Sequence, residues 1–318
     1  MKGYKAFQKG LICRGYKFEE GKVFEEEEAK ICESGFHFCT NPLDTLDYYP
    51  LIDDNGDLTE FATVEALDAT LTDGNKKYCT RKIKIGTKLD LNGFIEAGFN
   101  FIKESCKAKS TGAKKIVQKK DGVKVATSGY SSQVATSGSF SKVATSGDSS
   151  KVATSGDSSQ VATSGSFSKV ATSGDSSKVA TSGDSSQVAT SGIFSKVATS
   201  GDSSKVATSG YSSQVATSGS FSKVATSGSF SKVATSGSFS KVATSGIFSK
   251  VALNGENSVG ANIGISGMIK GKKGCWITLA EYDSNFTPIC AKSAQIDGEK
   301  IKEDTYYMLK NGEFVEVE

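Results

Sequence analysis

The only histidine of this 318-residue chain, His37, lies in Gly35-Phe36-His37-Phe38-Cys39, with Cys13 and Cys32 upstream. Three thiolates and an imidazole are the usual tetrahedral donors for zinc. The spacing argues against that use: 18 residues part Cys13 from Cys32, and no Cys-x₂-Cys occurs. We read Cys13, Cys32 and Cys39 as packed thiols and His37 as hydrogen-bonded, with no metal and no cofactor expected. Cys39 as a nucleophile with His37 as its base is a weaker reading still, because residues two apart on a strand rarely meet productively. A second set recurs. Lys124, Lys142, Lys151, Lys169 and Lys178 head successive copies of one short unit. Such a row could hold an acidic partner. It could equally be a solvated face that guards against lateral aggregation.

The unit that positions those lysines is Lys/Gln-Val-Ala-Thr-Ser-Gly-x-Ser/Phe-Ser, repeated fourteen times from Lys124, with two decayed copies running through Gly267. Strict repetition of a unit too short to bury its own apolar face predicts stacked coils. Val and Thr at even positions alternate with Lys, Ala and Ser at odd ones, the period of a strand with Val and Thr inward. The predicted fold is therefore mainly β: a parallel β-solenoid of nonapeptide repeats between two small domains. Nine is odd, so the alternation must reset once per unit, at the Ser-Lys or the Gly-x junction. Position eight, even-numbered, is expected inside. Its phenylalanines would make the coils nearest the C-terminus, where Phe221, Phe230, Phe239 and Phe248 follow one another, the best packed. Two units per coil is the simplest arrangement. Gln replaces Lys at 133, 160, 187 and 214, a 27-residue period that leaves a three-sided coil open, or records duplication of a three-unit block.

Several repeat chemistries are excluded. Calcium-binding nonapeptides need paired glycines and an aspartate in every unit, whereas here one glycine stands per unit and aspartate only at 148, 157, 175, 184 and 202. Mimicry of DNA needs an acidic face, and the fourteen units carry ten lysines against five aspartates. An ice-binding sheet needs outward threonines.

Flanking the repeat, residues 1–110 have ordinary mixed composition. They carry a strand-like start at Tyr4-Ala6-Phe7, an acidic run at 25–28, a helix start at 42–49, and strands near 62–67 and 82–85. Residues 111–123 read as a basic linker or a worn first unit. From Gly274 the sequence predicts four short antiparallel strands, with Asp297-Gly298 and Asn311-Gly312 as hairpin turns, forming a cap over the solenoid end.

The overall net charge of +3 makes no case for specific nucleic-acid binding. No apolar run is long enough to span a membrane, and no secretory segment opens the chain. Seven cysteines, odd in number and irregularly spaced, fit reduced thiols in a cytosol.

Cys13-Arg14-Gly15, Gly21-Lys22-Val23-Phe24, the stretch from Gly35 to Thr40 and Val64-Glu65-Ala66 follow an order that resembles ADP-ribosyltransferases. The resemblance implies a nucleotide-ligand site with Arg14 gripping the dinucleotide, Thr40 on the middle strand and Glu65 acting on the ribose. The middle motif differs, and no Glu-x-Glu surrounds Glu65.

A resemblance covering the whole chain rests on Lys2-Gly3-Tyr4-Lys5-Ala6-Phe7, Cys13-Arg14-Gly15-Tyr16-Lys17-Phe18-Glu19 and Gly35-Phe36-His37-Phe38-Cys39. These resemble an uncharacterised N-terminal module of bacteriophage and prophage proteins that often continue into Ser/Gly-rich repeats. Residues 254–261 resemble the coils of trimeric autotransporter adhesin heads, which are left-handed β-rolls. The phage resemblance implies a viral origin and no activity. The expectation is thus a non-catalytic interaction protein of host cytoplasm or virion, not an enzyme. It would bind a host or phage protein, assemble with itself if its flat face pairs, and touch neither membrane nor specific nucleic acid.

Overall fold

In the computed structural model, residues 1–74, 76–106 and 115–317 are described. Each nonapeptide supplies one four-residue strand, Lys/Gln-Val-Ala-Thr, and a five-residue corner. Successive strands fall alternately into two parallel sheets, and within each sheet the pairing is in register at 18 residues: Lys124 beside Lys142, Val125 beside Val143. The coil is therefore two units, not three. The described residues form a mainly β fold, a solenoid between an N-terminal α+β region and a small antiparallel C-terminal sheet.

Valine fills the interior in two facing rows from Val125 to Val251, with threonine beside it. Burying these side chains removes apolar surface from water at roughly 25 cal/mol per Å². The alternation runs on through the buried glycine and resets two residues later, at position eight. The residue at position eight takes φ near +55° in every coil, as at Phe140, Ser149 and Phe221. That left-handed backbone turns its side chain outward, so the phenylalanines expected inside are exposed, Phe140 by 63% and Phe221 by 57%. Position nine is buried instead. Ser141 and Ser150 donate Oγ–H to the carbonyls of Gly138 and Gly147 at 2.7 and 2.6 Å, closing each corner on itself. The glycine is obligatory, since a Cβ on Gly183 would sit 2.1 Å from the carbonyl oxygen of Gly165 one coil below. Aspartate at position seven is structural. Asp148 and Asp157 accept from the backbone N–H of Ser166 and Asp175 one coil above, at 2.8 and 2.9 Å.

The first strand of the solenoid is Lys115–Gln118, paired with Gln133–Thr136. The expected linker is thus a first half-coil from 115 onward, while 111–114 lie outside the described residues. At the other end, Met268–Gly271 and Trp276–Tyr282 continue the two sheets in parallel. Antiparallel strands Pro288–Gln295, Tyr306–Lys310 and Glu313–Val317 then close both sheets. Asn311-Gly312 makes the expected hairpin turn, both residues at positive φ. Asp297-Gly298 does not. The strands on either side of it belong to opposite sheets, and the turn carries the chain between them. Ile277, Leu279, Ile296 and Tyr307 plug the end of the valine interior.

The N-terminal region is a seven-stranded antiparallel sheet with Lys2–Phe7 at its centre, between Glu60–Ala66 and Phe36–Cys39. A two-stranded hairpin (Ile12–Cys13, Tyr16–Lys17) brings Phe18 against Phe7, Phe24 and Phe36 in one aromatic cluster. The expected helix start at 42–49 is a 3-10 helix, Pro42–Asp47, whose first turn is capped by Asn41 accepting from the Leu43 N–H. The α-helix Leu91–Ser105 begins at the Asp90 cap and buries Leu91, Phe94, Ile95, Phe99 and Ile102.

Candidate functional site

Both solenoid sheets turn the same three rows outward: Lys/Gln, Ala and Ser. One sheet is covered. Ala126, Ala144, Ala162, Ala180, Ala198, Ala216, Ala234 and Ala252 are buried in one cluster with Leu43, Leu46, Leu51, Ile52, Phe94, Phe99 and Ile102 of the N-terminal region. Residues 41–57 run along the rod, meeting a new rung of the Lys/Gln row about every third residue.

The rungs match what the segment offers. At Gln160 it presents an amide donor and a carboxylate: Asn41 Nδ2 donates to Gln160 Oε1 at 3.0 Å, and Gln160 Nε2 donates to Asp44 Oδ1 at 2.8 Å. Lys178 pairs with Asp47 at 2.6 Å. Burial alone would raise the Asp47 carboxyl, but Lys178, with Lys76 adding to it, holds it below its usual range. Lys196 donates to the carbonyls of Leu46 and Tyr49. Burial, reinforced by the neighbouring Lys178 charge, pushes Lys196 down to about 8. Gln214 Oε1 accepts from the N–H groups of Leu51 and Ile52 at 2.6 and 3.2 Å. Lys232 pairs with Asp54 at 2.6 Å, and Lys250 donates to the Asp54 carbonyl at 3.1 Å. Lysine stands where the segment presents acceptors; glutamine stands where it also presents N–H donors, which an ammonium cannot accept.

The other sheet is bare. Ala153, Ala171, Ala189, Ala207, Ala225 and Ala243 are exposed, with shallow grooves of about 1010 and 1030 Å³ on either side of the row. Lys151, Lys169, Lys205 and Lys223 are exposed and, among the described residues, make no ion pair. The five lysines singled out from the sequence therefore separate. Lys151 and Lys169 lie on the bare sheet. Lys124, Lys142 and Lys178 lie on the covered one, where Lys142 stands over the Phe101 ring and Lys178 is buried at Asp47. These last two belong to an internal interface, a correction to the expectation of one open row. Sequence reasoning missed Lys205, Lys223 and the bare alanine row. Alternation of units between two sheets groups Lys151 and Lys169 with Lys205 and Lys223, but nothing in the repeat says which group is left bare. Along one edge of the rod, Phe194, Tyr211, Phe230 and Phe248 form a chain of ring contacts at 5.2–6.1 Å.

A cleft of about 650 Å³ opens in the N-terminal region, lined by Lys5, Cys13, Arg14, Cys32, His37 and Cys39 among others. The four candidate zinc donors share this cleft without forming a ligand set. His37 Nε2 accepts the Cys32 N–H at 2.9 Å, and burial, with Lys5 and Lys77 nearby, lowers its pKa. Cys13 Sγ lies 3.0 Å from the Tyr49 hydroxyl. Burial, with Asp44 and Asp47 close, pushes the Cys39 thiol up to about 12. Among the described residues no three such side chains stand close enough for a metal ion. Lys5 is buried and donates to the His37 carbonyl at 3.1 Å.

Arg14 sits at the hairpin turn with φ +52° and donates to the Glu33 carbonyl at 3.4 Å. Thr40 and Glu65 line a different cavity, beside Gly3, Thr63 and Glu104. The three residues that the transferase resemblance would unite are not brought into one site.

Residues 1–97 match a domain of unknown function, DUF7666, which spans the N-terminal sheet and ends within the helix Leu91–Ser105. No curated protein and no solved structure matches the chain.

Proposed function

We propose that this chain is a non-catalytic interaction protein, a rigid β-solenoid whose bare sheet binds a protein partner. One observation carries the reading: the same alanine row is covered on one sheet by the chain's own N-terminal region and open on the other. Contiguous exposed apolar surface marks interaction sites, and the bare alanine row runs unbroken from Ala153 to Ala243 beside exposed lysines. In keeping with the phage resemblance, the setting is a phage-encoded protein in the host cytoplasm or the virion, acting as a counter-defence inhibitor or a virion accessory.

The test is affinity capture from phage-infected lysate with the full chain and with an Ala171→Glu/Ala207→Glu variant, both positions being exposed. The expected result is a protein held by the native chain and lost by the variant. Identical protein sets from both would sink the reading.

A second reading has an observation of its own. The cleft holds buried Lys5 beside Arg14, His37 and several aromatic rings, a lining suited to a small anionic or nucleotide-like ligand. Mass spectrometry of small molecules released from the purified full chain would favour it if such a ligand appears.

A further inference from the structure

Because coils hold 18 residues and glutamine recurs every 27, glutamine falls at every third rung of each sheet up to residue 240; on the bare sheet the next such rung is a lysine, Lys241. On the covered sheet the rungs from Gln160 to Lys250 run Gln, Lys, Lys, Gln, Lys, Lys. On the bare sheet Gln133, Lys151, Lys169, Gln187, Lys205 and Lys223 repeat that order without change. Rung spacing, the alanine row and the backbone register are the same on both. The covered face therefore displays, within one molecule, what this order of side chains recognises.

We infer that the bare sheet binds an acidic segment of a partner protein laid along the rod, in the manner of residues 41–57 on the covered sheet. Carboxylates and carbonyls seat on Lys151, Lys169, Lys205 and Lys223. Donor groups meet Gln133 and Gln187, and small or apolar side chains lie on the alanine row. Charge complementarity supports the choice. Among the described residues the lysines of the bare row make no ion pair, whereas residues 41–57 carry five aspartates and no basic residue. The phosphate backbone of a nucleic acid offers no N–H groups for the glutamine oxygens to accept from, and a second copy offering its own bare sheet would bring no acidic residue from the Lys/Gln, Ala and Ser rows. The inference rests on the scaffold reading above and names the chemistry of its partner.

The probe is a labelled peptide of residues 41–57, titrated into the full chain at low salt and read by fluorescence anisotropy. The expected result is saturable one-to-one binding. It should weaken about tenfold or more in Lys151→Gln/Lys169→Gln/Lys205→Gln/Lys223→Gln, whose substitutions are all at exposed positions. Gln187→Lys should also weaken it, by about threefold, because an ammonium cannot accept the peptide's N–H groups. An Asp→Asn version of the peptide should bind no better than a scrambled one.

Three outcomes overturn the inference: no saturable binding up to about 1 mM peptide, equal binding by the quadruple variant, or indifference to Gln187→Lys, which would mean charge attraction alone. Sedimentation showing a dimer that excludes the peptide would also overturn it. If capture still yields a protein that Ala171→Glu/Ala207→Glu loses while the peptide fails, the partner's chemistry is wrong and the scaffold reading stands.

Discussion

The two sheets of the solenoid are built from the same nine residues and have opposite surroundings. On one, alanines are buried under Leu43, Leu46, Phe94 and Phe99, and the lysines reach carboxylates and carbonyls. On the other the same alanines face solvent. The difference teaches that burial here is decided by what docks and not by local sequence. A row of alanine and lysine serves as interior or as surface with no change of residue, since alanine is too small to demand burial and lysine can lay down its stem while its charge meets water or a partner.

The comparison breaks most visibly under an added charge. Ala180→Glu places a carboxylate under the N-terminal region, where the site is fully buried, and should cost about 3 kcal/mol or more. Ala171→Glu, at the matching position of the bare sheet, should change stability by less than about 0.5 kcal/mol. Urea denaturation of the two variants checks the contrast; equal losses would mean the bare sheet is covered too.

A smaller effect comes from pH. Lys196 is held near 8 against its ordinary 10.5, so between those values the unfolded chain binds more protons than the folded one. Stability from this group therefore rises with pH across roughly 8 to 10.5, and its full penalty is present below 8. With solvent screening the span is about 1–3 kcal/mol. Following the Lys196 side-chain carbon shifts against pH should give a midpoint near 8, and a midpoint near 10.5 would show that the lysine is not buried at the interface.

The smallest effect sharpens the view of the corners. Phe221→Ser should alter stability by less than about 0.5 kcal/mol, since Phe221 projects outward and stacks only on Phe239 at 5.2 Å. A loss of several kcal/mol would restore the packed interior that the alternation first suggested.

How far the sequence could be read follows from these particulars. Valine and threonine alternation gave the strand, and its strict repetition in a unit too short to bury its own apolar face gave the solenoid. Phenylalanine at position eight was misplaced because parity was carried through that position, where the left-handed backbone reverses which side faces in. The helix Leu91–Ser105 went unread although Asp90 caps it and Leu91, Phe94, Ile95, Phe99 and Ile102 fall at helical spacing. Glycines at 93 and 98 weakened that pattern. Of the N-terminal cleft, a hydrogen-bonded His37 near Cys13, Cys32 and Cys39 was legible, and the partners, the Cys32 N–H and the Tyr49 hydroxyl, were not. The split between covered and bare rows could not be read from the repeat at all, since both rows are spelled identically.

The alternation of units between two sheets also constrains how such a gene can change length. Losing or gaining a single nonapeptide would send every later strand to the opposite side of the rod and scramble the order of glutamine and lysine on both. A gain of three also exchanges the sides, yet because both spell the same order, each side still reads correctly. The block of 27 is thus the smallest edit that keeps the spacing of glutamine and lysine on both sides, so steps of that size can lengthen or shorten the rod without altering the order of its outward side chains.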